Sequence, residues 1–193
     1  IGLIFVVPFL YFWVVGRIQP RERPRFLIAL ALGGSQGLLG WFMVKSGLVD
    51  RPSVSHFRLA AHLCLALFIL AYVFDLVLSM SAQQSASVPS GVRRIVQVFT
   101  LLLVAQLIYG GFTAGLKAGL GFNTYPKMGD TWLAEAALTL TPFWLNWFEN
   151  GAMIQFIHRW LGLAVVVAAA VTLGAALSRN TGPRVRRAAG LCV

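Results

Sequence analysis

The chain has 193 residues, of which 58% are hydrophobic and 11% are charged, and its formal net charge is +10. Its mean hydropathy of +0.77 is far above that of soluble globular domains, so the composition predicts an integral membrane protein. The positive charge does not favour nucleic acid as a partner, because the basic residues lie in loops between apolar stretches and not along one helical face.

Four apolar stretches are long enough to cross a bilayer, whose core needs about 20 residues of helix. They cover roughly residues 26–44, 55–78, 92–116 and 152–177, and shorter apolar stretches stand at 1–15 and 188–193. We therefore expect an all-α integral membrane protein with four full transmembrane helices and two partial ones. Since the chain begins inside one apolar run and stops inside another, we expect it to be a piece of a longer multispanning protein.

The basic residues predict the orientation of these helices. Ten of the sixteen Lys and Arg residues lie in three loops, at 17–25, 93–94 and 179–187. The positive-inside rule therefore predicts that loops 16–25, 79–94 and 178–187 are cytoplasmic. The long connection at 117–150 then faces outward, and its tryptophans at 132, 144 and 147 are typical of a segment lying on the bilayer surface. We expect this segment to act as a lid or a binding edge.

Small residues recur within two of the predicted helices, as GGSQGLLG at 33–40 and GGFTAGLKAGLG at 110–121. Their spacing lets a neighbouring helix or a flat ligand approach the backbone closely. Helix packing alone is one explanation of this spacing. The weak similarity of the two stretches also indicates an internal duplication.

Two of the three histidines, His62 and His158, fall inside predicted membrane helices, roughly 12–13 Å from the outward ends. A histidine inside the membrane indicates a functional site or an interhelical hydrogen bond. No Cys, Asp or Glu lies at a matching depth, which disfavours a zinc site. His56, at the membrane edge, is expected to be a solvated turn residue. Gln36 and Gln106 are mid-helix amides and are expected to hold neighbouring helices together.

Imidazole is the usual axial ligand of haem iron, and the residues around the two histidines suit a porphyrin. Gly162 follows His158 by one turn on the same face and would leave room for a flat macrocycle. Arg58 precedes His62 by one turn, where it could pair with a propionate or snorkel to the interface. Arg159 could likewise serve a propionate or reach the interface.

Four segments together resemble haem A synthase in its proteobacterial and mitochondrial form. They are GLLGWFMVKSGL at 37–48, SHFRLAAHL at 55–63, GGFTAGLKAGLGFNTYPKMGD at 110–130 and NWFENGAMIQFIHR at 146–159. The resemblance runs in order over nearly the whole chain. It implies an eight-helix protein of two similar four-helix bundles, each holding a haem between two histidines. It also implies oxidation of the C8 methyl of haem O to a formyl group, giving haem A.

The resemblance assigns residues 1–78 to the first bundle, 79–91 to a cytoplasmic linker and 92–193 to the second bundle. It implies that His62, with Arg58 nearby, binds the substrate haem O. It implies that His158, with Gly162 and Arg159, binds a haem B cofactor. The two partner histidines and the catalytic glutamate would lie outside this piece, the glutamate before Ile1, so the catalytic residue is unknown.

The resemblance further implies a place in the bacterial inner membrane and a role in assembling the terminal oxidase. Haem O synthase and a second copy of the chain are candidate partners. The same two histidines are also consistent with two other functions. One is a dihaem membrane cytochrome b that transfers electrons without modifying haem, and the other is a transporter or assembly factor whose histidines only pack.

Overall fold

The computed structural model describes residues 2–47, 54–80 and 88–178. Six α-helices lie within these ranges: α1 (Gly2–Val14), α2 (Arg23–Gly47), α3 (His56–Met80), α4 (Ser90–Gly115), α5 (Asn146–Glu149) and α6 (Gly151–Leu177). The described residues contain no strand beyond one isolated bridge between Met128 and Thr131. The prediction of an all-α fold is confirmed.

Helices α2, α3, α4 and α6 are each long and apolar enough to cross a membrane. They correspond to the four predicted stretches, with ends that differ by at most three residues. Most of their large apolar side chains point outward, as Phe68, Leu70 and Phe74 do on α3. Outward apolar side chains suit lipid or further helices as surroundings. The chain is a multi-pass membrane protein.

The chain divides into two compact units, Ile1–Gln83 and Gln84–Val193. In the first unit α2 packs against α3, and α1 packs against α2. In the second unit α4 packs along α6. The point of division falls inside the 79–91 segment that the resemblance assigns to a linker.

In the first unit, an ion pair and hydrogen bonds join α2 to α3 at the ends that lie away from His62. Arg25, near the start of α2, forms a 2.7 Å ion pair with Asp75 and donates a hydrogen bond to Ser79. The Tyr72 hydroxyl donates to the Arg25 carbonyl at 3.1 Å. Because the Asp75 side chain is 71% exposed, this ion pair lies at the surface of the unit.

The second unit carries an ordered segment between α4 and α6, which we call the outer segment (116–150). It contains three short 3-10 turns, at Ala118–Leu120, Glu135–Leu138 and Phe143–Leu145, followed by α5. Asn146 is fully buried within it, accepts a hydrogen bond from the Leu140 amide and donates to the carbonyls of Leu140 and Phe143. This side chain therefore holds the end of the segment in shape.

Asn150 joins the outer segment to α6. Its Oδ1 accepts hydrogen bonds from the amides of Ala152 and Met153, as an N-cap does. Its Nδ2 donates to the Ala136 carbonyl and to Asn146 Oδ1. One side chain thus caps the helix and anchors the segment that precedes it.

Candidate functional site

In both units a histidine lies early in the second long helix of a packed pair. His62 is the seventh residue of α3, and His158 is the eighth residue of α6. At 1.5 Å per residue they lie about 9 Å and about 10 Å along their helices. Both depths are smaller than predicted, for His62 because α3 begins only at His56. Both imidazoles are half-buried.

The His62 imidazole lies with its edge against the backbone of α2 at Gly40. A Cβ added to Gly40 would lie 3.0 Å from His62 Cε1, which is tighter than nine in ten real Cβ contacts. One turn earlier on α2, Gln36 Nε2 lies 3.2 Å from His62 Nε2 and donates to the His62 carbonyl at 3.1 Å. His62 Nδ1 is buried without a hydrogen-bond partner among the described residues.

The His158 imidazole lies against α4 in the same way. A Cβ added to Gly110 would lie 3.2 Å from His158 Cε1. The backbone of Gln106, one turn earlier on α4, lies near the imidazole. His158 Nδ1 is buried without a hydrogen-bond partner among the described residues.

The Gln106 side chain lies in a different place from that of Gln36. Its Nε2 would be 3.2 Å from a Cβ added to Gly162, the glycine one turn after His158. The amide therefore fills the space beside Gly162 that the sequence analysis reserved for a macrocycle. In this structure, Gly162 makes room for the Gln106 amide. That Gly162 also makes room for a porphyrin stays a prediction.

The two sites share a sequence pattern, Gln-x-x-x-Gly-x-Phe, at 36–42 and 106–112. The sequence analysis detected the duplication through the GG pairs of the two stretches, but the structure pairs Gly40 with Gly110. The signal that the sequence analysis missed is the glutamine that begins each pattern, four residues before the glycine. It was interpreted only as an interhelical contact, which the structure confirms for both Gln36 and Gln106.

Arg58 lies one turn before His62, with its guanidinium carbon 4.4 Å from the centre of the Phe42 ring. The contact is a cation–π interaction between α3 and α2. It holds the half-buried arginine on the side of the helix pair that bears His62. Pairing of Arg58 with a propionate stays a prediction.

Arg159 is bound to the outer segment. Its guanidinium donates hydrogen bonds to the carbonyls of Phe122, Thr124 and Lys127. The buried Gln155 also donates to the Phe122 carbonyl, at 2.9 Å. Arg159 therefore fastens the outer segment beside His158, a role that the sequence analysis did not consider. Its predicted contact with a propionate stays untested.

His56 is buried, and the expectation of a solvated turn residue was wrong. It is the first residue of α3, only 6% exposed, and its ring centre lies 4.1 Å from that of Phe57. A residue at a helix start is exposed only if nothing packs over it, and the sequence does not reveal that packing.

An apolar groove of about 650 Å³ runs between α4 and α6, but it belongs to another face of α6. Its lining includes Trp160, Leu163 and Val167. At 100° per residue these side chains point roughly opposite to His158. The groove is not part of the histidine site.

Comparison with known proteins places the chain in a family. It matches the model of the family described as "Cytochrome oxidase assembly protein" over residues 1–193. The chain belongs to that family. The heme A synthase of Rhodospirillum centenum is 39% identical over 99% of the chain and 52% of its own length. That of Wolbachia sp. subsp. Brugia malayi is 44% identical over 86% of the chain and 50% of its own length. That of Agrobacterium fabrum is 39% identical over 97% and 52%.

The chain thus spans about half the length of the curated heme A synthases that it matches. No solved structure matches it. For this member of the cytochrome oxidase assembly family, the geometry of the two histidines therefore comes from the present structure alone.

Haem is the group that the sequence predicts for both units of this family member, and the donor chemistry fits it. Each unit offers one half-buried imidazole that lies against a glycine of the neighbouring helix. Imidazole is the usual axial ligand of haem iron, so a histidine in each unit suits this group. The described residues contain no cluster of three or more His, Cys, Asp or Glu side chains that could hold a free metal ion.

Proposed function

We propose that the chain is a portion of a haem A synthase. The observation that carries the proposal is the repeated site: in each unit a half-buried imidazole lies against a glycine of the neighbouring helix, with one ring nitrogen lacking a protein partner. Two such sites in one chain suit an enzyme that holds two haems. The curated relatives support the choice of this enzyme over other haem proteins.

The proposed reaction converts the C8 methyl group of haem O to a formyl group. With water as the oxygen donor, the conversion consumes one water and releases four protons and four electrons, so a redox partner has to take up those electrons. When bound, the haems supply the redox chemistry, and the protein supplies ligation, orientation and surroundings.

We assign the substrate haem O to the first unit, with His62 as an axial ligand. Arg58 lies one turn away on the same helix and is held near it by Phe42. A guanidinium is suited to bind a propionate through paired N–H groups. In this assignment Arg58 orients haem O by binding one of its propionates. The catalytic residue is the glutamate that the resemblance places before Ile1.

We assign the haem B cofactor to the second unit, with His158 as an axial ligand. Gly162 and Arg159 complete the predicted cofactor site. Arg159 already donates to three carbonyls of the outer segment, so its contribution is to fix that segment beside the ligand. The buried Gln155 supports the same carbonyl, that of Phe122.

The proposal includes a place in the bacterial inner membrane, with loops 16–25, 79–94 and 178–187 on the cytoplasmic side. The distribution of Arg and Lys supports this orientation. The outer segment then lies at the opposite surface, where its exposed Trp144 and Trp147 suit the lipid headgroup level. Terminal oxidase assembly, supply from a haem O synthase and self-association belong to the same proposal.

The test is chromatography of haems extracted from membranes that express the full-length gene together with a supply of haem O. We expect a haem A peak from the wild type and none from His62→Ala. His56→Asn is the matched control, since it changes a histidine six residues earlier on the same helix, and it should retain the peak. His158→Ala should lose the resident haem B from the purified protein.

Two results would contradict the proposal. Haem O and haem B without haem A, from a folded wild-type protein, would instead identify an electron-transfer cytochrome b. A haem A peak of normal size from His62→Ala would show that another residue holds the substrate.

A further inference from the structure

The imidazoles of the two units differ in whether a glutamine amide lies on the ring. In the first unit the group near His62 Nε2 is the Gln36 side-chain NH2, at 3.2 Å. An amide NH2 can only donate, so His62 Nε2 has to accept, and its lone pair points at Gln36. The proton of the neutral ring then lies on the other nitrogen, Nδ1.

In the second unit no glutamine amide lies on the ring. The Gln106 amide lies against Gly162 instead, and the described residues show no hydrogen bond between it and His158. A metal that takes the lone pair of His158 therefore need not displace an amide donor.

From this difference we propose that Gln36 is a positioning residue that competes with haem iron for the lone pair of His62, and so makes the first unit release its haem more readily than the second. The inference rests on the proposed function, in which the first unit holds a haem that enters as substrate and leaves as product. A substrate site has to exchange its haem, and a cofactor site does not.

The Gln36 amide is held in place for this competition. Its Nε2 also donates to the His62 backbone carbonyl at 3.1 Å. The ring nitrogen and the carbonyl oxygen of His62 together fix the position of the Gln36 amide. Gly40 lets the imidazole edge come within contact of α2, which brings the ring into reach of Gln36. When iron takes the lone pair, the amide keeps the bond to the carbonyl and loses only the bond to the ring.

The Gln106 amide does not compete, although it occupies the equivalent position of the repeated pattern. It lies against Gly162, away from the ring nitrogen. The residue that follows His62 by the same four positions is Ala66, which carries a methyl group where Gly162 has none. A Cβ added to Gly162 would lie 3.2 Å from the Gln106 amide, so the methyl group of Ala66 disfavours the same placement for the Gln36 amide.

The experiment compares haem release from the full-length protein in detergent. The protein is loaded with haem O in the first unit and haem B in the second, and excess apomyoglobin captures what dissociates. The two haems are separated by chromatography at each time point, so release from each unit is followed in one sample. Gln36→Leu and Gln36→Met remove the amide with little change in size, and Gln106→Leu is the matched control.

We expect haem O to leave Gln36→Leu about two- to tenfold more slowly than the wild type, the range that loss of one competing neutral hydrogen bond gives. Haem B release from the second unit should be unchanged in Gln36→Leu, and its retention shows that the variant is folded. Gln106→Leu should leave haem O release unchanged. Gln36→Met should behave as Gln36→Leu does.

Faster or unchanged release of haem O from both Gln36 variants, with haem B retained, would overturn the inference, since Gln36 would then support the ligand or have no part. Failure of the wild type to hold any haem O would instead overturn the proposed function. The two failures are therefore distinguishable in the same measurement.

Discussion

The two helix pairs use one pattern and obtain two polar environments from it. In both, a glutamine and a glycine one turn apart on the first helix face a histidine on the second. In the first unit the amide lies on the imidazole, and in the second it lies on Gly162. The residue four positions after the histidine differs as well: it is Ala66 in the first unit and Gly162 in the second. A repeated motif therefore does not by itself predict a repeated hydrogen-bond pattern.

The two helix pairs also differ in where their charged side chains form contacts. The first unit has its ion pair at the end away from His62, between Arg25 and Asp75. The second unit is tied at the histidine end, where Arg159 binds three carbonyls of the outer segment. At the histidine end of the first unit, α2 and α3 meet through the contact of Arg58 with the Phe42 ring.

The glycines facing the rings are the most sensitive test of the shared part of the pattern. Gly40→Ala should reduce haem occupancy of the first unit by tenfold or more, because the new methyl group would lie 3.0 Å from His62 Cε1 and overpacking costs about 1–3 kcal/mol. Gly110→Ala should do the same in the second unit, to a smaller extent, since its distance is 3.2 Å. Haem content by the pyridine haemochrome spectrum measures both.

Gly37→Ala is the matched control for Gly40→Ala, since a Cβ at Gly37 meets nothing within 4 Å. It should keep its haem and gain a little stability, as alanine is the better helix former by about 1 kcal/mol. Equal haem loss in the two variants would mean that the ring does not lie against Gly40.

Arg159→Gln tests the hydrogen bonds that attach the outer segment beside His158 in the second unit. Loss of charge-assisted hydrogen bonds should make local opening of residues 122–127 easier by about 1.5–3 kcal/mol. Hydrogen exchange measured by mass spectrometry should therefore be faster in this segment. Arg93→Gln, the same change at an exposed position of α4, is the control, and equal exchange in both variants would contradict the assigned role.

Exchanging the residues found four positions after the two histidines, Ala66 and Gly162, tests why the two glutamine amides lie in different places. Gly162→Ala should push the Gln106 amide out of its place, and Ala66→Gly should give the Gln36 amide the option of leaving the imidazole. We expect Ala66→Gly to slow haem O release about two- to tenfold, in the same direction as Gln36→Leu. Faster release would show that the methyl group of Ala66 does not direct the amide.

Asp75→Asn should have the smallest effect. The ion pair of Asp75 with Arg25 is exposed, with 71% of the Asp75 side chain accessible, and such pairs contribute about 0–1 kcal/mol. Thermal unfolding in detergent at low and high salt measures it, and the small difference should shrink at high salt. Glu22→Gln is the comparison, since the Glu22 carboxylate has no ion pair within residues 2–47, 54–80 and 88–178. A larger loss in Asp75→Asn at high salt would point to a buried role.

The sequence predicted the long helices well, for a physical reason. Apolar runs of bilayer length, ended by arginine or proline, leave little freedom in where a helix begins and ends. The contacts of polar side chains were harder to predict. The partners of Gln106 and Arg159 are set by a facing glycine and by a segment that folds back over thirty residues, and neither is visible as a period or a motif.

Asn150 has a consequence for how the second unit opens. Its side chain caps α6 with one end and binds the Ala136 carbonyl and Asn146 with the other. Neither the first turn of the helix nor the end of the outer segment can lose its hydrogen bonds without releasing this shared residue. We expect the two to unfold as one cooperative unit, so amides at 136–146 and at 152–154 should exchange with a common opening free energy, and the helix that bears His158 is stabilised by the loop in front of it.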